Sequence, residues 1–221
     1  MPADLTAGPT AEPLVDTLRA AGVVGVLRAP DARTAVSAAL AAARGGLRVI
    51  ELTFTTPGVT GALRELRAAL SGVTLGVGTV LSTAQAREAA GAGAQFLVSP
   101  HLDGDLLRAA QALNVPYLPG ILTPSEAVRA GQLGARVLKV FPAASAGGPG
   151  FIRDLRGPLP HLHLMATGGV RPHEVPAYRD AGALAVGLGG HLFPSRAVET
   201  GDWDAVEAAT RAALREAGLP L

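Results

Sequence analysis

The chain contains no cysteine, which excludes disulfides, iron–sulfur clusters and thiol nucleophiles. Aromatic residues make up only 4% of it, too few to build a set of stacking platforms for nucleic acid. The formal charge is +1, and acidic residues are interspersed among the arginines, so no basic stripe is present to track a phosphate backbone. Apolar stretches are interrupted by Gly, Pro or a charge before they reach the length of a bilayer span. Met1 to Pro13 carries Asp4 and Glu12 but no Lys or Arg, unlike a secretory signal. From these absences we expect a soluble, cytoplasmic protein with no nucleic-acid or membrane partner.

One scarcity is more specific. Of nineteen basic residues a single one, Lys139, is lysine, and the other eighteen are arginine. Arginine can replace lysine in most solvated or salt-bridging roles, but only a primary amine can lose its proton and condense with a carbonyl to form an imine. A compositional bias accounts for the missing lysines. It does not account for an amine inside the strand-like run Ala135-Arg136-Val137-Leu138-Lys139-Val140-Phe141-Pro142, a largely apolar strand where an unpaired charge is costly. Lys139 is therefore the first candidate for a covalent catalyst.

What is abundant is the raw material of a core. The chain has 221 residues, 48% of them hydrophobic, enough to bury a large interior and too apolar for disorder. Strand-like segments alternate with helical ones along it: Val23 to Ala29, Arg48 to Phe54, Thr74 to Thr79, Gln95 to Ser99, Val115 to Leu118, Arg136 to Phe141, Leu162 to Ala166 and Leu184 to Gly187 read as eight strands. Between them, Asp31, Ser82 and Thr123 stand where helix N-caps belong, the last followed by Pro124 and Glu126 as in a capping box. Eight strands with helical crossovers in this length predict a single (β/α)8 TIM barrel, with a doubly wound open sheet as the alternative, since periodicity does not reveal closure. A leading helix around Ala11 to Ala21 is expected to cover the bottom of the barrel. We expect residues 1–221 to form one domain, with about 1–10 as a flexible segment.

In a barrel, chemistry sits where strands give way to their following loops. Glu51 lies near that end of the second strand and Lys139 near that end of the sixth, and these two strands face one another across eight. A carboxylate can ferry protons while the amine is tied up as an imine; the competing reading is a structural salt bridge, for which arginine would have served. Thr79 and Thr167 offer hydroxyls and Arg28 a charge to a substrate carboxylate at the same end. Gly168 and Gly169, with Gly189 and Gly190, expose backbone N–H groups where barrels bind phosphate; the bland alternative is tight turns alone. His161 and His163 share a face but lie at the start of their strand, away from the active end, and His101 and His191 have no carboxylate-rich neighbours that would make a metal site.

Glu51-Leu52-Thr53-Phe54-Thr55-Thr56-Pro57, Gly76-Val77-Gly78-Thr79, Val98-Ser99-Pro100-His101, Tyr117-Leu118-Pro119-Gly120, Leu138-Lys139-Val140-Phe141-Pro142 and Thr167-Gly168-Gly169-Val170 occur in this order. Together they resemble the class I 2-keto-3-deoxy-6-phosphogluconate (KDPG) aldolases, some of which also cleave 4-hydroxy-2-oxoglutarate (KHG). The resemblance runs from about Val23 to Phe193. It implies a Schiff-base role for Lys139, acid/base work for Glu51, substrate contacts at Arg28, Thr79 and Thr167, and pocket walls at Thr55, Pro100, Pro119 and Phe141. It also implies phosphate binding at Gly168, Gly169, Gly189 and Gly190, a homotrimeric cytoplasmic enzyme, and neither cofactor nor metal. Two positions depart from the family's pattern: some members carry arginine where Thr55 stands, and serine often stands where Gly190 does.

The implied reaction cleaves a 2-keto-4-hydroxy acid to pyruvate and an aldehyde, glyceraldehyde 3-phosphate from KDPG or glyoxylate from KHG. The alternatives are another phosphate-binding barrel, an isomerase or decarboxylase that uses Lys139 only as a charge, a metal-dependent aldolase, or a barrel that binds a phosphometabolite without turning it over.

Overall fold

The computed structural model describes residues 12–220. The segment expected to be flexible, about 1–10, lies outside the described residues, as does Ala11 at the start of the expected leading helix. Helix α1 (Glu12–Ala21) leads into β1 (Val23–Leu27), α2 (Ala32–Arg44), β2 (Val49–Thr53), α3 (Val59–Ala69), β3 (Thr74–Gly78) and α4 (Thr83–Gly91). There follow β4 (Leu97–Val98), α5 (Gly104–Ala112), β5 (Tyr117–Leu118), β6 (Gly120–Ile121), α6 (Pro124–Gln132), β7 (Val137–Val140) and α7 (Gly148–Arg156). The chain finishes with β8 (His163–Thr167), a 3-10 turn (Pro172–Glu174), α8 (Val175–Asp180), β9 (Ala183–Leu188), α9 (Ser195–Thr200) and α10 (Trp203–Glu216).

Helix starts follow their capping residues. Asp31 accepts from the Thr34 N–H at 2.8 Å, Ser82 from Gln85 at 3.2 Å, and Thr123 and Glu126 satisfy each other's backbone groups in a reciprocal box. Each such cap typically contributes about 1 kcal/mol.

Every strand pairing is parallel, in the order β5-β4-β3-β2-β1-β9-β8-β7-β6. The two ends of that series, β5 and β6, are separated in sequence only by Pro119. The sheet therefore closes on itself through one interrupted strand, and the doubly wound alternative falls away. The interruption has a simple cause: proline has no N–H to give to a ladder. Its carbonyl still serves, accepting from the Lys139 N–H at 2.9 Å. The fifth expected strand ended at Leu118; its second half, Gly120–Ile121, and the six-residue helix α9 had no counterpart in the sequence reading.

Alternation along the strands sorts the core into two sets. Ile50 and Leu52 of β2 and Leu138 and Val140 of β7 belong to the large apolar cluster shared with the helices. Val49 and Val137 belong to the other, together with Val24, Val98, Leu118 and Met165, and Leu14, Val15 and Leu18 of α1 pack onto it. That second set fills the barrel interior, and α1 closes it from below as anticipated. Glu51 is two residues beyond Val49, and Lys139 two beyond Val137. The same parity that buries the valines thus points both polar side chains inward, one layer nearer the strands' carboxyl ends.

Candidate active site

Lys139 Nζ lies 3.6 Å from Glu51 Oε1, with the two side chains 7% and 1% exposed. The expected convergence of strands across the barrel is thus present in atomic detail. Neither carboxylate oxygen of Glu51 accepts a hydrogen bond within the structure. A buried ion pair that served stability would be expected to satisfy those lone pairs, since desolvating two charges is offset only when geometry and additional hydrogen bonds are good. Here both oxygens retain acceptor capacity, which suits a group that exchanges protons with a substrate. The amine also sits 5.3 Å from the centroid of the Phe141 ring, which forms part of its wall. The Phe141–Pro142 peptide is cis.

Space for the carboxylate comes from β3. Gly78 pairs with Thr53 in the ladder, and a Cβ built on it would fall 1.9 Å from Glu51 Oε1 and 2.5 Å from its Cδ. Two residues earlier, Gly76 makes the same kind of room for the Phe96 ring, at 2.4 Å. Gly187 of β9 does so for Thr167, whose Oγ1 would lie 2.4 Å from an added Cβ. Thr167 Oγ1 is itself buried and without a hydrogen-bond partner in the structure.

Above this pair opens a cavity of about 460 Å³ at the carboxyl ends of the strands. Lys139 forms its floor, and Arg28, Thr79, Pro100, Phe141 and Thr167 line its sides. Gly168, Gly169, Gly189 and Gly190 line the portion next to β8 and β9, together with His191. Arg28 makes no ion pair with another described residue, so its charge remains available to an anion. Thr79 holds φ = 56°, the left-handed region that a β-branched residue rarely adopts. Such strain persists where the surroundings over-determine it, often beside a ligand site.

Two residues expected in the wall stand elsewhere. Thr55 is exposed and is not part of the cavity lining; its hydroxyl is 2.7 Å from that of Thr53, which in turn donates to the Leu27 carbonyl at 3.3 Å. Pro119 is buried in the strand break, where its carbonyl holds the backbone of Lys139. Behind Pro100, the hydroxyls of Ser99 and Tyr117 bond to each other and to the His101 carbonyl. Burial pushes the Tyr117 phenol up to about 12, against the opposing effect of the Ser99 hydroxyl. It remains a neutral donor at any ordinary pH.

Gly78, Ser99 and Tyr117 were visible within the motifs but carried no assigned role. The one available signal for Gly78 was its spacing: glycines at 76 and 78 share the inward face of β3. Among the described residues no cluster of three or more His, Asp or Glu could hold a metal ion, and no helix is long and apolar enough to cross a membrane.

Residues 14–209 match the family model described as KDPG and KHG aldolase. A 2-dehydro-3-deoxy-phosphogluconate aldolase of Pseudoalteromonas atlantica is 35% identical over 198 residues, spanning 89% of this chain and 92% of its own. A KHG/KDPG aldolase of Escherichia coli is 36% identical over 200 residues, with the same two coverages of 89% and 92%. In three dimensions, the crystal structure of KDPG aldolase from Legionella pneumophila, with pyruvate captured at low pH as a covalent carbinolamine, superposes with a TM-score of 0.83. It is 29% identical and the match covers 90% of this chain and 97% of that one.

Proposed function

The chain belongs to the KDPG and KHG aldolase family, and from that membership we propose that it cleaves 2-keto-4-hydroxy acids through an imine on Lys139. The observation that carries this reading is that Lys139, at the floor of the cavity, lies 3.6 Å from the buried Glu51 carboxylate beneath it. The neutral amine attacks the C2 ketone to give a carbinolamine. Loss of water gives the imine, an electron sink for the pair released when C3–C4 breaks. Glu51 delivers the proton that the departing hydroxyl needs and takes the proton from the C4 hydroxyl, so the aldehyde leaves and an enamine remains. Protonation at C3 and hydrolysis free pyruvate and restore Lys139.

The walls fit the two ends of such a substrate. Thr79, Thr167 and Arg28 are suited to the C1 carboxylate, and the unpartnered, buried Thr167 Oγ1 supports that assignment. The Gly168-Gly169 and Gly189-Gly190 turns are suited to a terminal phosphate, which favours KDPG as substrate and leaves the unphosphorylated KHG with fewer contacts. No cofactor enters this scheme. We read residues 1–221 as one aldolase domain, supported by the unbroken alternation of elements and the span of the family match. A cytoplasmic homotrimer is the assembly that the resemblance of its motifs supports.

Borohydride treatment in the presence of pyruvate tests the chemistry. We expect a reduced adduct at Lys139 by mass spectrometry, its loss in Lys139→Ala and Lys139→Arg, and no detectable pyruvate release by either variant. Glu51→Gln should fold and lose about 10²- to 10⁴-fold in turnover. Normal turnover by Lys139→Arg, which keeps the charge but not the nucleophile, would overturn the assignment.

A further inference from the structure

We propose that the opposite end of the barrel carries a second binding site, independent of the Lys139 cavity, for a small multiply charged anion of the phosphoester or diphosphate class. The cavity there measures about 720 Å³, and Arg19 of α1, Arg156 of α7, Arg179 of α8 and the paired His161 and His163 converge on it. Among the described residues Asp180 is the one carboxylate in its lining.

The arginines are held by groups that leave their charge in place. Arg156 Nη2 donates to the Pro160 carbonyl at 2.9 Å, and Arg179 Nη2 to the Arg19 carbonyl at 3.1 Å. Elsewhere the long-reaching arginines meet carboxylates, as Arg44 and Arg211 meet Glu207 and Arg171 meets Glu174. Arg19 does pair with Asp16 at 2.9 Å, but both side chains are more than half exposed, where such pairs are weak and screened. Arg156 Nε is buried and has no hydrogen-bond partner in the structure.

Both fixed guanidiniums lie over glycines. A Cβ on Gly182 (φ 104°) would fall 1.9 Å from Arg156 Nη1, and one on Gly22 (φ 67°) would fall 2.8 Å from Arg179 Nη1. Left-handed glycines commonly end helices, and cations at the last turn complement the helix dipole. Those two effects explain each arginine separately. They do not explain why three of them, from three helices, share one cavity with two histidines and a buried, unpartnered guanidinium nitrogen. The charge field is legible at His163, whose pKa is lowered first by burial and then by Arg19 and Arg136, with Glu12 opposing them and Arg156 adding the least. Planar guanidiniums anchored in advance match phosphate oxygens in the bidentate geometry that makes such pairs strong.

The two ends of the barrel carry their own reporters, His163 below and His191 beside the glycine turns above. Inorganic pyrophosphate is titrated into the full-length protein at constant ionic strength set with potassium chloride, and the histidine ring signals are followed by NMR, assigned with single His→Gln variants. We expect a saturable shift of the His163 signal, with a Kd on the order of 1 mM or tighter. In Arg156→Gln/Arg179→Gln we expect affinity to fall at least about tenfold, with pyruvate release unchanged in the absence of pyrophosphate. A His163 signal that moves no more than with chloride alone would overturn the proposal, as would movement confined to His191 or an unaltered response in a folded double variant. Should that variant fail to fold by circular dichroism, the wild-type comparison of pyrophosphate with chloride decides the matter alone. The outcome is independent of imine formation, which borohydride trapping reads separately.

Discussion

Gly78→Ala is the smallest perturbation that separates a catalytic Glu51 from a merely buried one. The added methyl carbon would lie 1.9 Å from Glu51 Oε1, 2.5 Å from Cδ and 2.7 Å from Cγ, where real contacts essentially never come below 3.0 Å. The carboxylate oxygen must therefore retreat by roughly 1 Å or more, and because Cδ and Cγ are also struck, a rotation of the terminal group alone does not relieve the clash. Misplacing a reacting group by about 1 Å can cost on the order of 10²-fold in rate. Overpacking of this size typically costs about 1–3 kcal/mol of stability, which a barrel of this size tolerates.

We therefore expect Gly78→Ala to fold with a modestly lower Tm, to lose roughly 10²-fold in kcat for pyruvate release, and still to be labelled at Lys139 by borohydride with pyruvate. The decisive comparison is a double-mutant cycle. In a Glu51→Ala background the clash has no partner, so adding Gly78→Ala should lower kcat by less than about twofold, an interaction far from additive. If Gly78→Ala alone keeps turnover within about threefold of wild type, or costs the same factor with Glu51 absent, then the position of this carboxylate does not limit the reaction.

Gly190→Ser tests the glycine turns. Nothing lies within 4 Å of a Cβ added at Gly190, so the hydroxyl enters without strain, and one further hydrogen bond of about 0.5–1.5 kcal/mol should lower KM for KDPG about two- to twelvefold while leaving KHG unchanged; equal changes for both would show that this turn does not read the phosphate. His163 predicts a pH dependence at the other end of the barrel. Because its folded pKa is lowered below the ordinary 6.5, the unfolded chain binds the proton more readily. The neutral side chain's contribution is present above 6.5 and is lost as pH falls from there toward the folded value. Thermal melts across that window should show a shallower loss of Tm in His163→Gln than in wild type, and an NMR midpoint for His163 at or above 6.5 would refute the account.

The sequence disclosed Lys139 by elimination and Glu51 by its place near the end of a strand, because both signals are local: a residue count and a position within one segment. The parity that turns both side chains inward, two residues beyond Val49 and Val137, emerged only once the strands were placed in a closed barrel. Closure itself was inferred only from the number of strands. Its actual hinge, Pro119, is a residue at which the ladder changes partners from β4 to β7, and hydrophobic periodicity carries no information about which neighbour a backbone group bonds to. The six-residue helix α9 escaped for a related reason: it spans less than two turns, too short for a period of 3.6 to register.

Gly78 escaped for a different reason. Glycine in a strand reads as a weakness or a bulge, and its contribution here is the volume it leaves to a side chain from the neighbouring strand, a quantity defined only after both strands are placed. The same holds for Gly187 beside Thr167. Two of the side chains assigned to substrate thus depend on an absent Cβ across the ladder. The polar layer at the mouth of this barrel is therefore accommodated by glycines on adjacent strands, and substitutions at Gly78 and Gly187 should perturb chemistry before they perturb the fold.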